Sequence, residues 1–162
     1  MEPKLHNISF LGNEDLWQLH KTAFLSSEKF SAGSVLKSYD WATEINKQGK
    51  CVISGFLSKL EKDVFAILMR GSSPIIYAIA RSIYAKTPTK LKSHIDSGRL
   101  LVVSQFGLGI ERYTRETATL RNKFILDVAD EIVFAHIHSG GMLDELRLRE
   151  GVTVRVLDEE AG

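Results

Sequence analysis

The side chains best suited to hold a charged ligand are concentrated between Arg121 and Leu146, RNKFILDVADEIVFAHIHSGGMLDEL. Its patterning reads as helix, apolar strand, glycine-containing loop and helix. Arg121 and Asn122 sit in the first helix, and His136, His138 and the turn Ser139-Gly140-Gly141 sit between the strand and the second helix. Such a turn leaves backbone N–H groups at a helix N-terminus, where free donors and the helix dipole both favour a phosphate. The bland alternative is a plain helix cap with glycines for a tight turn, with Arg121 as a solvated helix residue. His136 and His138 are two apart and point the same way on a continuing strand. No third ligand stands at a recognisable spacing, so no metal is expected. Asp144 and Glu145 fall in the first turns of the last helix, where a carboxylate can assist hydrolysis or simply complement the dipole.

Signatures of other chemistries are missing. No G-x-G-x-x-G follows the first strand and there is no P-loop, so no cofactor is expected; Gly107-Leu108-Gly109 reads as a flexible loop. There is no G-x-S-x-G nucleophile elbow, and Cys51, the single cysteine, opens an apolar strand and reads as core. From Arg70 to Arg99 the chain carries Arg70, Arg81, Lys86, Lys90, Lys92 and Arg99 against Asp96, and Arg112, Arg115 and Lys123 follow. A run of this kind is either a solvated helix face or a groove for a phosphate backbone.

The elements that must position these groups alternate strictly. Strands are read at Thr22–Leu25, Cys51–Ile53, Pro74–Ala80, Leu100–Ser104, Ile132–Ala135 and Val152–Leu157. Helices are read over about 35–48, from a Ser58…Glu61 capping box to Gly71, from a Thr87 cap and Pro88 to Gly98, over 114–128 and over 142–148. Most strands are continuous apolar runs, the mark of strands buried on both faces. The fold class is therefore α/β, a doubly wound, mostly parallel sheet of Rossmann type in a single three-layer domain. The economical strand order is 3-2-1-4-5-6, with right-handed crossovers. Residues 1–20 are read as an N-terminal extension with a short helix capped by Asn13 or Asp15, packed outside the sheet, and residues 21–162 as the domain.

Ligands of such sheets bind beyond the carboxyl ends of the strands, where strand order reverses. That rule selects Ser26 and Ser27 after the first strand, Ser54 and Gly55 after the second, and Arg81 after the third. Gln105 and Phe106 follow the fourth, and His136, His138, Ser139 and Gly140 the fifth. All are expected on one rim.

A chain of 162 residues suits one domain, and 44% hydrophobic with 25% charged residues is ordinary globular composition. A formal net charge of +1 makes no case for bulk nucleic-acid binding, so any such case rests on local clusters. One cysteine excludes a disulfide framework and fits a cytoplasmic location. MEPKLHNISF has no apolar signal-peptide run, no stretch approaches a membrane span, and the acidic Asp158-Glu159-Glu160 reads as a solvated tail.

Four short segments, in this order and spacing, carry a family resemblance: Ser54-Gly55, Gly98-Arg99-Leu100-Leu101-Val102-Val103-Ser104, Arg121-Asn122-Lys123-Phe124-Ile125 and Ser139-Gly140-Gly141. Over most of residues 20–157 the sequence resembles the Rossmann-like domain of DNA-processing protein A (DprA/Smf), within the superfamily that includes the LOG-type nucleoside-monophosphate phosphoribohydrolases. The third segment is similar to the family's R-N-R-I-I stretch and the fourth to its S-G-S turn. Departures are plain: Ser26-Ser27-Glu28 stands where the family has G-S-R, and Ser54 to Glu61 lacks the second glycine of S-G-x-A-x-G-I-D.

The resemblance implies a nucleotide or single-stranded DNA site at the strand rim, a tendency to form a homodimer, and a recombinase partner of the RecA type. Its binding set is Ser26, Ser27, Ser54, Gly55, Arg81, Arg121, Asn122, Ser139, Gly140 and Gly141. The alternative within the superfamily is N-glycosidic hydrolysis of nucleoside monophosphates, with Arg121 and Glu145 laid on the catalytic arginine and glutamate of P-G-G-x-G-T-x-x-E. In that overlay His138-Ser139 and Met142 replace the Gly-Gly pair and the threonine. A third class is a scaffold with an inherited, empty rim.

Overall fold

The computed structural model of the chain describes residues 7–158. Seven strands form one sheet in the order β1-β5-β4-β3-β2-β6-β7. They are β1 (Ser9–Gly12), β2 (Lys21–Leu25), β3 (Cys51–Ser54), β4 (Ile75–Ala78), β5 (Leu100–Ser104), β6 (Glu131–Phe134) and β7 (Thr153–Val156). The helices between them are α1 (Ala32–Gln48), α2 (Lys59–Arg70), α3 (Thr89–Asp96), α4 (Arg115–Val128) and α5 (Met142–Leu146). All pairings from β5 across to β7 are parallel, and β1 alone runs antiparallel, Phe10 opposite Val103.

The continuous apolar strands are explained by their two covered faces. Alternate residues enter two separate cores. Phe24, Val52, Ile75, Leu100, Val102 and Val133 pack with Trp41, Ile45, Leu60, Val64, Leu68 and Leu91 of α1, α2 and α3. Ala23, Leu25, Ile53, Ile76, Leu101, Ile132 and Phe134 pack with Phe124, Ile125 and Leu126 of α4 and Leu143 of α5. At 25 cal/mol per Å² of buried apolar surface, each large side chain in these layers contributes about 1.5–3 kcal/mol.

Most helix boundaries follow their caps. Ser31 Oγ accepts from the Ser34 N–H at 3.2 Å, so α1 starts earlier than its apolar face suggests. Gly49 ends it in the left-handed conformation at φ 67°. In α3, Pro88 occupies the cap position itself and the helix begins at Thr89.

Three expectations are corrected. The sheet does not have the order 3-2-1-4-5-6. The fourth parallel strand, β5, lies beside β4, and the reversal falls between β2 and β6. The chain changes face after β5: α3, with 8 residues, buries Leu91 in the core shared with α1 and α2, whereas α4, with 14, buries Phe124, Ile125 and Leu126 in the opposite core. Residues 1–20 do not all lie outside the sheet. The 3-10 turn Glu14–Gln18 is capped by Asn13 as read, but Ser9–Gly12 pairs with β5 and covers its edge. Asp158 is not a solvated tail residue. Its carboxylate bonds Ser31 Oγ and, at 2.9 Å, Lys37 Nζ, and its N–H donates to the Ala135 carbonyl at 3.3 Å. Glu159 and Glu160 lie outside the described residues.

Candidate functional site

The reversal between β2 and β6 splays the loops that leave their carboxyl ends, and α4 crosses behind the gap. The result is a cavity of about 220 Å³ at the strand rim. Ser26 and Ser27 line it from β2, Leu57 and Ser58 from the turn into α2, and Arg115, Ala118, Arg121 and Asn122 from α4. Gly141, Met142 and Leu143 line it from the start of α5.

Arg121 is the centre of this arrangement. It is 3% exposed, although a helical arginine ordinarily faces solvent. Its guanidinium reaches over the ends of β3 and β4: Nε donates to Asn122 Oδ1 at 2.9 Å and Nη1 to the Ala78 carbonyl at 3.1 Å. Nη2 has no hydrogen-bond partner among the described residues, and the side chain makes no ion pair with them. Burial pulls this guanidinium below its usual pKa, opposed by the fields of Glu61 and Tyr77. Gly55 is what lets it lie there, since a Cβ at that position would meet Arg121 Cζ at 2.2 Å.

Glu61 builds the opposite wall. Its Oε2 accepts from the Ser26 N–H at 3.0 Å and its Oε1 from the N–H groups of Leu57 at 3.0 Å and Ser58 at 3.4 Å. The carboxylate thus ties the end of β2 to the start of α2 in a capping-box arrangement. The buried Ser58 hydroxyl faces the Glu61 N–H in that box but closes no hydrogen bond of good geometry with it. A second tie joins β2 to β6: the Ser27 N–H donates to the His136 carbonyl at 3.0 Å, and the His138 N–H to Ser27 Oγ at 2.8 Å. Lys29 and Arg115 add exposed cations to the wall, and Glu28 an exposed carboxylate. A cavity with a forked donor, serine hydroxyls and apolar sides suits an oxyanion attached to an apolar group.

The residues expected on the rim separate into three groups. Ser26, Ser27, Arg121, Asn122 and Gly141 line the cavity. Ser54 and Gly55 support it from below, Ser54 Oγ accepting from the Phe56 N–H at 3.1 Å. Arg81, Ser139 and Gly140 lie outside its wall. Arg81 sits 4.8 Å over the Tyr84 ring. In the Ser139-Gly140-Gly141 turn the N–H of Gly140 donates to Asp144 Oδ2 at 3.0 Å and that of Gly141 to the His138 carbonyl at 3.0 Å. Arg121 and Glu145 are not brought together, because Glu145 is exposed on α5 and does not line the cavity.

His136 is buried, with Nδ1 3.3 Å from the Asp158 carbonyl. Among the described residues no three metal-ligating side chains cluster, and no helix is long and apolar enough to cross a membrane. Sequence reading missed Leu57, Ser58, Glu61, Arg115 and Met142 as wall residues. The Ser58…Glu61 capping box just after Gly55 was the available signal, since it starts a helix at the rim.

No protein-family model matches the sequence, and no curated protein matches it. Solved structures do. DNA processing protein A (DprA) from Streptococcus pneumoniae superposes on 92% of this chain with a TM-score of 0.73 at 18% identity. The match takes in 54% of that chain, so the present chain spans about half its length. DNA processing protein A from Helicobacter pylori, a structure reported for its single-stranded DNA binding mode, superposes on 91% with a TM-score of 0.65 at 13% identity, and 74% of that chain is covered. At these identities the likeness is one of fold, and the fold is that of a DprA-like Rossmann domain.

Proposed function

We propose that the chain is a binding module of the DNA-processing protein A type, which holds single-stranded DNA or a nucleotide by a phosphate seated in the rim cavity. The observation that carries this reading is Arg121: a buried guanidinium with no ion pair among the described residues, its Nη2 unpartnered in a cavity that also holds the unpartnered Ser58 hydroxyl. A buried cation with no carboxylate in ion-pair contact is costly; Glu61 acts on it only at a distance while its oxygens hold backbone N–H groups, and an anionic ligand supplies the direct partner. Ser26, Ser27 and Asn122 complete the polar wall, and Leu57, Ala118 and Met142 give the sugar an apolar side. The single-stranded DNA bound by the Helicobacter pylori neighbour belongs to the same class of ligand. Self-association, a recombinase partner and a cytoplasmic location belong to the same proposal and rest on the DprA resemblance.

The test is titration of labelled oligo-dT and of dTMP by fluorescence anisotropy and thermal shift over a range of salt. Oligo-dT affinity falls steeply with salt if backbone phosphates are held. Arg121→Ala abolishes binding of both ligands, and Arg121→Lys, which keeps the charge but loses the fork, leaves a small remainder. Salt-insensitive binding, or full affinity in a folded Arg121→Ala protein, would sink the reading.

A further inference from the structure

We propose that the two loops extending the sheet beyond β4 and β5 form a base-stacking surface continuous with the cavity, with Tyr84, paired with Arg81, and Tyr113 as its contacts for a single-stranded nucleic acid. The proposal rests on the reading that Arg121 holds a phosphate of the same strand.

The first observation is that these loops are one body. Residue Ser82 bridges to Phe106 as a short parallel pair. Its N–H donates to the Ile110 carbonyl at 2.8 Å, its Oγ accepts from the Ile110 N–H at 2.9 Å, and the same hydroxyl bonds the Gly107 carbonyl. Ser104 Oγ bonds the Arg81 carbonyl and accepts from the Phe106 N–H at 3.1 Å. Two serines thus staple Arg81-Ser82 to residues 104–110, which fixes the roots of both loops before any ligand arrives.

The second observation is what the stapled body displays. Residues 79–88 and 105–115 carry Arg81, Lys86, Arg112 and Arg115 against Glu111 alone. Arg81 Nε donates to the Ser82 carbonyl at 3.1 Å, which holds the guanidinium 4.8 Å from the centre of the half-buried Tyr84 ring. Tyr113 is 58% exposed. Flat π faces among cations that make no ion pair with the described residues suit bases joined by phosphates, and stacking of this kind tolerates any base.

The third observation joins this surface to the cavity. Arg115, two residues past Tyr113, is part of the cavity wall. Tyr84, Arg121 and Tyr113 all act electrostatically on the hydroxyl of Tyr77, which burial pushes up to about 12. The Tyr77 ring is half-buried and lies 5.4 Å from that of Phe56, the neighbour of the Gly55 on which Arg121 rests. A strand with a phosphate at Arg121 that leaves the cavity past Arg115 meets next the segment that carries Tyr113.

The test compares oligo-dT with an abasic deoxyribose-phosphate oligomer of equal length and charge, using the full chain and fluorescence anisotropy. Wild type is expected to bind oligo-dT about tenfold more tightly than the abasic strand. Tyr84→Ala with Tyr113→Ala removes that preference and leaves abasic affinity unchanged, while the half-buried Tyr84 ring lost from the edge of the core lowers the melting temperature of a still folded protein. Tyr84→Phe with Tyr113→Phe restores it, because the rings and not the hydroxyls stack. Arg121→Lys lowers affinity for both strands and keeps the preference. A double Ala variant with the wild-type preference overturns the proposal, and so does a wild type that treats both strands alike. Competition by poly-glutamate as effective as by oligo-dT makes this a general anion surface and overturns it too. If wild type binds neither strand, the phosphate reading fails first.

Discussion

Two strand-to-helix turns at the rim look alike in sequence and differ in what they leave open. Ser139-Gly140-Gly141 leads into α5, and Ser54-Gly55 leads through Leu57 and Ser58 into α2. At the first turn the chain satisfies its own donors. Asp144 takes the Gly140 N–H and the His138 carbonyl takes that of Gly141. At the second, Glu61 takes the backbone donors, but the Ser58 hydroxyl and Arg121 Nη2 are left without partners inside a cavity. Buried polar groups are rarely left unpaired, and a buried orphan such as the Ser58 hydroxyl costs about 1–3 kcal/mol in the free protein. A glycine turn therefore marks where a phosphate could be approached, whereas unspent buried donors mark where one is missing.

Gly55→Ala should break the comparison most sharply after Arg121 itself. The added Cβ would lie 2.2 Å from Arg121 Cζ and 2.4 Å from Nη1, so the guanidinium must leave the Ala78 carbonyl. The expected loss is about 1–3 kcal/mol of stability, one strained or broken buried hydrogen bond, with oligo-dT affinity down at least tenfold. In an Arg121→Ala background the same substitution should cost almost nothing, and the double-mutant cycle reads that coupling directly. Additive effects would mean that Gly55 serves the backbone rather than the arginine.

Ser58→Ala is expected to separate two measurements. The contact of this hydroxyl with the Glu61 N–H falls short of a hydrogen bond, so its removal leaves thermal stability nearly unchanged. A bound phosphate loses a donor, so oligo-dT affinity falls about fivefold, the equivalent of about 1 kcal/mol. A destabilised protein with unchanged affinity would show the hydroxyl to be an ordinary cap.

The comparison also explains how much was legible in the sequence. β2 to β6 were visible because strands covered on both faces are largely apolar, and Gly49 and the Ser58…Glu61 box marked helix ends by local chemistry; β7 is an exposed edge strand and lacks that mark. Strand order was not, because nothing in the residues of α3 or α4 states which face of the sheet each covers. The strand Ser9–Gly12 escaped because a short, half-buried edge strand has too few residues to show a period. Arg121 and Asn122 were selected through a motif, but the burial that gives Arg121 its meaning depends on Gly55, far off in the chain. The closure of the Gly140 turn by Asp144 is a side-chain choice that spacing permits and does not dictate.

A third helix start tests whether closure by the chain's own carboxylate is a general feature of this rim. Asp158 bonds Ser31, the cap of α1, and Lys37 in its second turn. The hydrogen bonds from Ser31 and Lys37 hold its carboxyl below the ordinary carboxylate range. For a depressed pKa the sign is fixed: this stability is present above the unfolded carboxylate value and is lost as pH falls through the lower, folded value. Asp158→Asn should therefore flatten the acid limb of the melting curve in that window, with a small effect at neutral pH because the Lys37 partner is largely exposed.

Asp144→Ala is the smallest expected change and discriminates best between the two turns. It removes the carboxylate from the Gly140 N–H and opens that turn without touching the cavity wall. The turn is exposed, so water takes over the N–H and stability changes by less than about 1 kcal/mol. Oligo-dT affinity should move less than about threefold, because α5 spans only Met142–Leu146 and the new donor lies outside the cavity. Tenfold weaker binding would show Asp144 to be positioning a turn that ligand contacts, and would move the site from Arg121 toward Gly140. Tenfold tighter binding would carry a different meaning: the Asp144 carboxylate occupies in the free protein a place that a phosphate can take.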